Sequence, residues 1–216
     1  MVSRKVVERL SLYRRLLTAQ SDDGVGYIYS HELAEMAVVS AAQVRRDLME
    51  IGYHGTSHRG YDVDRFLASI DAYLDGPTPQ KVALVGVGEL GHAVMTLFAG
   101  TRPTLTIVAA FDLDPNRVGT RIGGVRCQDA ARIAEILPAQ GIHIALITTS
   151  NANEQEIADE LVAGGVFSIV NFSGGRIHVP DHVFVEKVDI TAAVEAATYF
   201  AHVQDDVMTG NVSATG

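Results

Sequence analysis

The spacing of apolar residues divides the chain into a mainly helical part and a part in which strands and helices alternate. From Val6 to Leu17 apolar residues recur every three or four positions, which predicts an amphipathic helix. The segment DGPTPQ, residues 75–80, contains two prolines and a glycine, which end any helix that enters it. Beyond it, apolar runs rich in β-branched residues alternate with helical stretches. We therefore predict a first domain over 1–76, a second over 77–190, a last helix over 191–206 and a disordered tail over 207–216.

Three helices and a hairpin are predicted before the boundary. The first helix would bury Val6, Val7, Leu10, Tyr13, Leu16 and Leu17, and SDDGVG would end it. Tyr27–Tyr29 would form a short extended piece. Ser30 suits the N-cap of a second helix, HELAEMA, with Leu33 and Met36 facing inward.

A third helix, AAQVRRDLMEI, would follow a tight turn at Val38-Val39. Ser40 and Gln43 make the S-x-x-Q pattern of a capping box, and Gly52 is a natural terminating glycine. Two helices joined by such a turn are typical of a helix-turn-helix. The pattern is compatible with DNA binding through the third helix, although short capped helix pairs with exposed arginines also occur in many other domains.

The third helix has one apolar face and one polar face. At about 100° per residue, the buried face holds Val44, Leu48 and Ile51, and Arg46 points away from it. Arg46 and Gln43 are side-chain types that read guanine and adenine edges, with Arg45 nearer the edge of that face. Asp47 weakens this interpretation unless it pairs with a neighbouring arginine.

The stretch GYHGTSHRGYDV, residues 52–63, suits the wing of a winged helix. Its three glycines surround His54, His58 and Arg59. A hairpin of this kind meets the DNA backbone or the minor groove with its tip.

The second domain opens on KVALVGVGELGHAV, in which Gly86, Gly88 and Gly91 are spaced as G-x-G-x-x-G. The pattern follows a predicted strand and opens a predicted helix, which is the context of a dinucleotide-binding fingerprint. Gly86 would permit the tight turn, Gly88 the approach of a pyrophosphate, and Gly91 close packing of helix on strand. The phosphates would rest on the helix N-terminus, beside Glu89 and Leu90.

An acidic residue follows at the distance that a ribose contact needs. The strand LTIVAAFD ends at Asp112, which would accept hydrogen bonds from ribose hydroxyls and repel a 2′-phosphate. NAD(H) is therefore favoured over NADP(H). We interpret Arg117, which follows Asp112 and Asp114, as a surface residue and not as a phosphate clamp.

The remaining pattern predicts an open, doubly wound parallel sheet. Its further strands are HIALITTS, FSIVNFS and VFVEKVD, with the helix IADELVAGG between the first two. Ligands bind at the carboxyl ends of such strands. The polar residues expected there are Thr148, Thr149, Asn171 and Ser173.

Composition narrows the class of protein further. The net charge of −9 argues against general coating of nucleic acid, and no apolar run reaches the length of a membrane span. The charged start does not resemble a signal peptide, so we expect a cytoplasmic protein. Cys127 is the only cysteine, which excludes an internal disulfide, and we expect no metal site.

No catalytic group accompanies the predicted nucleotide site. None of the eight histidines has a partnered arrangement, and the chain has no H-E-x-x-H and no nucleophile elbow. We therefore interpret the nucleotide as a signal and predict no enzyme activity. Two alternatives stay open: a small NAD-dependent oxidoreductase with an N-terminal dimerisation module, and a CoA-binding domain.

Both halves together resemble the redox-sensing transcriptional repressor (Rex) family. The resemblance extends from the first helix through the last. It is carried by SHELAEMAVVSAAQVRRDLMEIGYHGT in the first half and by VGVGELGHAV, FDLDPNRVG, ADELVAGG, VNFS and VEKVDIT in the second.

The resemblance implies a winged-helix domain, a Rossmann-like NAD(H)-binding domain and a C-terminal helix exchanged within a homodimer. It also implies a palindromic operator that is released when NADH binds. The resemblance implies DNA contacts by Gln43, Arg45 and Arg46, with Arg15 near the domain interface. The helix cap and the wing add Ser40, His58 and Arg59 to the DNA-binding residues that we expect. The cofactor-binding residues implied are Gly86, Gly88, Glu89, Leu90, Gly91, Asp112, Thr148, Thr149, Asn171, Phe172 and Tyr199, the last near the partner's pocket.

The sequence departs from the family pattern at four places. The wing reads TSHRGYDV, Ser150 replaces a proline, Leu97-Phe98 replaces a tyrosine, and Ser173-Gly174 stands where the family has Ala-Pro. These departures lie at the predicted DNA-binding face and at the end of the second domain predicted to hold the nicotinamide.

Overall fold

A computed structural model of the chain describes residues 2–54, 59–76, 78–99, 104–149 and 153–208. The chain forms two compact units, Met1–Pro79 and Gln80–Gly216. The division falls within the segment DGPTPQ, three residues after the boundary expected from the prolines.

The first unit contains four helices and a two-stranded sheet. Its elements are α1 (Arg4–Asp22), β1 (Tyr27–Ile28), α2 (Ser30–Ala37), α3 (Ala41–Glu50), β2 (Tyr61–Asp62) and α4 (Val63–Leu74). Strands β1 and β2 are antiparallel, with Tyr27 opposite Asp62. All four helices contribute to one core, which includes Leu10, Tyr13, Leu17, Leu33, Val44, Leu48, Phe66 and Ile70.

Helix α4 was not among the three helices expected here. Its sequence signal is nonetheless present, because Val63, Phe66 and Ile70 recur at helical spacing and are fully buried. The Asp62 carboxylate caps the helix by accepting a hydrogen bond from the Arg65 backbone N–H at 3.0 Å. The glycines before α4 and the prolines after it are loop signals, and they led to no helix being predicted between them.

The second helix differs in detail from its prediction. Ser30 is its first residue, and Tyr29 takes the capping position, with its N–H donating to the Glu32 carboxylate at 2.6 Å. Met36 is partly exposed instead of inward, and Ala37 is buried in its turn of the helix. The expected tight turn is confirmed at Val38, whose φ of 54° is left-handed.

The third helix ends close to the predicted position. Helix α3 stops at Glu50, and Gly52 adopts a left-handed φ of 70° just beyond it. Ser40 caps the helix, since its Oγ accepts from the Gln43 N–H at 3.1 Å. Only this half of the expected capping box forms, because the Gln43 side chain bonds to residues of its own helix instead.

The second unit is a seven-stranded sheet with helices. Its elements are β3 (Gln80–Val85), α5 (Glu89–Phe98), β4 (Leu105–Asp112), β5 (Arg121–Ile122), β6 (Val125–Asp129), a 3₁₀ turn (Ala130–Arg132), α6 (Ile133–Gln140), β7 (Ile144–Ile147), α7 (Glu154–Ala163), β8 (Ser168–Asn171), β9 (Phe184–Lys187) and α8 (Ile190–Met208). The strand order is β5-β6-β4-β3-β7-β8-β9, and every pair except β5-β6 is parallel. Strands up to β6 are added on one side of β3 and strands from β7 onward on its other side. The switch point at which doubly wound sheets bind ligands therefore lies between β3 and β7.

Strands β5 and β6 and helix α6 were not predicted. In β6 only Cys127 is buried, so the strand lacks the apolar run that marks its neighbours. Helix α6 contains Pro138, which argues against a helix, but the proline falls in the last turn before Gly141 at φ 63°. These elements occupy the place of the third strand and its crossover in a doubly wound sheet.

The last helix is α8, and its side chains are exposed. Tyr199 and Phe200 are each 64% exposed, and Val194 is 59% exposed. The helix reaches Met208, so Val207 and Met208 are helical instead of part of a tail, while residues 209–216 lie outside the described part of the chain. Among the described residues, no helix has the length and apolar character to cross a membrane.

Candidate nucleotide cleft and DNA-reading helix

A cleft of about 550 Å³ lies at the carboxyl ends of β3, β4 and β7. Parallel strands place the loops that follow them at one edge of the sheet. The residues that line the cleft are Gly86, Gly88, Glu89, Leu90, Asp112, Leu113, Asp114, Arg117, Thr148, Thr149, Asn153, Phe172 and Ser173. The fingerprint and the strand-end residues expected from the sequence therefore meet at one place.

Two of the three fingerprint glycines are required by packing. Gly86 has a φ of 100°, and a β-carbon there would lie 2.7 Å from the Thr149 nitrogen. A β-carbon on Gly91 would overlap the Gly86 carbonyl oxygen. Gly91 is buried in α5 and does not line the cleft, so it holds the helix against the turn, as expected of the third glycine.

Gly88 differs because only a flexible side chain, and no backbone atom, lies beside it. Its φ is −70°, and the three nearest neighbours of an added β-carbon would all be atoms of the Arg117 guanidinium, the nearest at 3.3 Å. No side chain caps α5 at Gly88. The first N–H groups of the helix are therefore available to an anion in the cleft.

The two threonines after β7 have different environments. The Thr148 hydroxyl donates to the Gly86 carbonyl at 2.7 Å and so fixes the turn. The Thr149 hydroxyl oxygen is buried and has no hydrogen-bond partner among the described residues. Since buried polar groups are nearly always paired, this hydroxyl is suited to a ligand in the cleft.

Asp112 is held in its charged form by donors on three sides. One carboxylate oxygen accepts from the Val87 N–H at 2.8 Å, and the other accepts from the Asp114 N–H at 2.9 Å. Arg117 donates to the same oxygen as the Val87 N–H, at 3.2 Å. Burial by itself would raise the pKa of Asp112, but the bonds from Asp114, Val87 and Arg117 together lower it.

Arg117 was expected to be an ordinary surface residue, and the structure corrects this. Its side chain is 47% exposed, but it lies in the wall of the cleft, between Asp112 and the space above Gly88. Leu113, Asp114 and the distant Asn153 also line the cleft and were not expected. The carboxyl end of β4 was a signal for the first two.

Besides Gly91, two predicted cofactor residues do not line the cleft, namely Asn171 and Tyr199. Asn171 is 1% exposed; its side-chain oxygen accepts from the Ser173 N–H at 3.0 Å, and its amide donates to the Gly175 carbonyl at 3.2 Å. It therefore shapes the loop that presents Phe172 and Ser173. Tyr199 lies on the exposed helix α8.

In the first unit, α3 shows the two faces that its sequence predicts. Val44 and Leu48 are buried and Ile51 packs against them. The exposed residues of the helix are Ala42, Arg45, Arg46, Met49 and Glu50. Arg45 donates to the Ser30 hydroxyl at 3.1 Å, which links α3 to the start of α2.

Asp47 is removed from the exposed face of α3. It is 2% exposed, and Arg9 on α1 donates a hydrogen bond to each of its oxygens at 2.7 Å. Tyr13 and Gln43 donate to the same carboxylate, each at 2.9 Å. Burial alone would raise the pKa of Asp47, but the hydrogen bonds from Arg9, Gln43 and Tyr13 lower it overall. The arginine partner that the DNA interpretation needed is therefore present.

The other predicted DNA-binding residues have mixed positions. Arg15 on α1 is exposed and donates to Ser11 at 3.4 Å, and Arg59 is exposed near β2. His58 lies outside the described residues, as does Ser150 of the second unit. In the part of the chain that the structure describes, no group of three His, Cys, Asp or Glu side chains is placed to hold a metal ion.

Comparison with known protein families divides the chain at the same place. Residues 1–48 match the model of a putative DNA-binding protein N-terminus, and residues 78–175 match the model of a CoA binding domain.

Whole-chain relatives share one description. The chain is 36% identical to the redox-sensing transcriptional repressor Rex of Leuconostoc citreum over 97% of both chains. It is 35% identical to that of Anoxybacillus flavithermus over 92% of this chain and 93% of the relative.

Solved structures agree over the whole length. RSP, a Rex-family repressor, has a TM-score of 0.86 and 27% identity over 98% of this chain and 99% of its own. Its complex with β-NAD⁺ and operator DNA has a TM-score of 0.89 and 26% identity over 100% and 99%. The chain belongs to the Rex family of redox-sensing transcriptional repressors.

Proposed function

We propose that this protein is a DNA-binding transcriptional repressor whose hold on a palindromic operator is set by the NADH/NAD⁺ ratio. The observation that carries the proposal is that one chain of the Rex family holds both an open dinucleotide cleft and an arginine-bearing, capped helix. RSP, which shares its fold, has been crystallised with β-NADH and with β-NAD⁺ and operator DNA.

The cleft residues fit NAD(H) by their chemistry. The pyrophosphate would bind at the N-terminus of α5, over Gly88, Glu89 and Leu90. Asp112 would accept from ribose hydroxyls, as its retained charge favours. The oxidised and reduced nicotinamide rings differ in charge, and that difference is the signal which the dinucleotide supplies when bound.

The nucleotide is proposed to be a ligand, not a reagent. The relatives that the chain matches are repressors. The ionisable side chains among the described lining residues are Glu89, Asp112, Asp114 and Arg117, of which Asp112 and Asp114 are bonded to neighbouring groups. The proposed action is therefore binding without turnover, in the cytoplasm, where nucleotide and operator are both present.

Helix α8 supports a homodimer. Ala193, Ala196, Phe200, Val203 and Val207 recur three and four apart, and the large ones among them are exposed. A helix with an uncovered apolar stripe of this kind is stabilised by a second copy that covers it. A two-fold dimer would present two copies of α3 to two half-sites, with Tyr199 near the partner's cleft.

The DNA-binding function is tested with the full-length protein and its own upstream DNA, by fluorescence anisotropy at fixed salt. Arg46→Ala is expected to lower affinity about 5- to 100-fold, the value of one base-reading pair. Arg132→Ala removes the same charge from an exposed site in the second unit and should change affinity much less. Absence of binding by the wild-type protein would overturn the repressor function.

CoA is the second candidate ligand, because the model matched by residues 78–175 describes CoA binding. Competition decides between the two: CoA should fail to displace NADH from the protein at concentrations near the NADH dissociation constant. Displacement at those concentrations would favour CoA. Steady consumption of NADH with a carbonyl substrate would instead support a small oxidoreductase.

A further inference from the structure

We propose that Gln43 contributes to operator choice without contacting a base: it is a positioning residue, anchored by the buried carboxylate of Asp47, that fixes the guanidinium of Arg46. This inference rests on the proposed DNA-binding function. It assigns different roles to two side chains that the sequence pattern treated as equivalent readers of bases.

The anchor is the Asp47 carboxylate, whose orientation is fixed by hydrogen bonds from α1. Asp47 is 2% exposed, and Arg9 donates to both its oxygens at 2.7 Å from the neighbouring helix α1. Tyr13, one helical turn along α1 from Arg9, adds a third bond at 2.9 Å. Two groups at i and i+4 on one helix therefore hold one group on another, which sets the rotation of α3 about its axis.

Gln43 transmits this order to the exposed face. Its side-chain Nε2 donates to an Asp47 oxygen at 2.9 Å, one turn along α3. An amide that donates through Nε2 has its Oε1 directed the other way, and that oxygen accepts from Arg46 Nη2 at 2.7 Å. Asp47 thus fixes which end of the Gln43 amide faces Arg46.

The arrangement leaves Gln43 little capacity to read a base. A glutamine that reads adenine uses its carbonyl and its amide together. Here one N–H of the amide is bonded to the buried carboxylate and one lone pair of the carbonyl oxygen to Arg46, so the amide plane cannot turn to an adenine edge while both bonds are kept. Arg46 is exposed and retains further N–H donors for a base edge.

Holding Arg46 in one orientation has a direct benefit for specificity. A free arginine loses rotamer freedom when it docks on a base, and a restrained one loses less. The same restraint limits which base edges the guanidinium reaches. Operator preference at the Arg46 position therefore depends on Gln43 even though Gln43 touches no base.

A double-mutant cycle on operator binding tests this. The full-length wild type, Gln43→Met, Arg46→Ala and the double variant are titrated by anisotropy against the protein's upstream DNA and against single base-pair variants of one half-site. Methionine keeps the length and helical preference of glutamine but makes neither hydrogen bond. Gln155→Met is the matched control, since Gln155 also donates to an aspartate one turn away, in α7 of the second unit.

Gln43→Met is expected to lower affinity about threefold to tenfold, the value of a lost hydrogen bond. It should weaken preference at the same base pair as Arg46→Ala and should have no further effect when Arg46 is already alanine. A melting temperature near that of wild type would show that α3 remains folded.

Three results would overturn the inference. They are loss of preference at a different base pair, an equal loss of affinity with or without Arg46, and wild-type binding by Gln43→Met. If neither the wild type nor Gln155→Met bound DNA, the proposed repressor function would be contradicted, and this inference, which rests on it, would be contradicted too.

Discussion

At the residue scale, the fingerprint glycines separate into two that shape the fold and one, Gly88, that lines the cleft without being required by packing. Gly91 lies against the Gly86 carbonyl, so its lack of a side chain is a packing requirement. Gly88 has an ordinary φ and only the flexible Arg117 nearby, so its lack of a side chain is not required by the fold. The physical difference lets folding and binding be separated by single substitutions.

Gly91→Ala and Gly88→Ala are predicted to affect different properties, the first the stability of the second unit and the second its affinity for NADH. Gly91→Ala forces a methyl group onto a backbone oxygen and should destabilise the second unit by about 1–3 kcal/mol. Gly88→Ala should leave the melting temperature close to wild type but lower NADH affinity, because the methyl group would occupy the proposed place of the pyrophosphate. Thermal melts and NADH titration measure the two effects. Unchanged NADH affinity in Gly88→Ala would contradict the proposed phosphate position.

The charge on Asp47 predicts an acid-dependent loss of stability in the first unit. Its pKa is lowered from the ordinary 3.8, so its contribution to the free energy of unfolding is complete above that value and disappears as the pH falls through the folded-state pKa. Asp47→Asn should cost about 2 kcal/mol at pH 7, less than a fully buried pair because Arg9 is partly exposed. The difference from wild type should shrink below pH 4.

Urea titrations at pH 7 and at pH 3 measure this difference. Of the seven tyrosines in the chain, all but Tyr199 lie in the first unit, and there is no tryptophan, so tyrosine fluorescence reports mainly on that unit. Glu50→Gln, which changes an exposed carboxylate on the same helix, is the control and should have a free energy of unfolding close to that of wild type at pH 7. A constant difference between wild type and Asp47→Asn at both pH values would contradict the assignment.

Residue types indicated the site, but not the partners that define it. The fingerprint, Asp112 and the threonines after β7 were predicted, since strand ends converge in a doubly wound sheet. Asn153 was missed because its part in the cleft depends on how the chain leaves β7. Arg117 was predicted to be a surface residue because Asp112 and Asp114 precede it in the sequence. The sequence alone does not show that its side chain reaches the space above Gly88.

At the element scale, buried helices with clear periodicity were predictable and short connecting elements were less so. Helices α1, α3 and α8 and the apolar strands follow directly from spacing. Helix α4 was missed although its periodicity is clear, because the glycine-rich stretch before it suggested a longer hairpin. Strand β6 has one buried residue, and no local pattern distinguishes it from a loop.

Helix α8 is the element that the single chain leaves uncovered, and its apolar stripe predicts a dimer. Phe200→Glu places a charge in the middle of this stripe and should shift the protein toward monomer at micromolar concentration, since an unpaired buried charge is strongly unfavourable. Light scattering coupled to size exclusion measures the mass. His202→Glu, on the polar side of the same helix, should leave the mass unchanged. A monomeric wild type, or a Phe200→Glu protein of dimer mass, would contradict this role.

At the scale of the whole molecule, the two units supply two different capacities. The first carries a helix whose acidic residue is neutralised internally, leaving arginines on its exposed face. The second carries a cleft with an uncapped helix N-terminus and the charged carboxylate of Asp112. The proposed sensor function requires both capacities in one chain, and neither motif by itself would support it.

Coupling between the units requires NADH to favour the state that does not bind DNA. A nearly complete switch in occupancy requires a difference of about 5.5 kcal/mol in binding to the two states. The departures at Leu97, Ser150 and Ser173 fall in the part of the chain expected near the nicotinamide. They make the size of this difference the quantity that most needs measurement.

The most direct test is a titration of the protein bound to its own upstream DNA, followed by anisotropy, with NADH and NAD⁺ added separately at fixed salt. Saturating NADH is predicted to raise the dissociation constant for DNA at least about tenfold, which corresponds to 1.4 kcal/mol of coupling. NAD⁺ at the same concentration should leave it almost unchanged. Equal responses to both forms, or none to either, would contradict redox sensing by this protein.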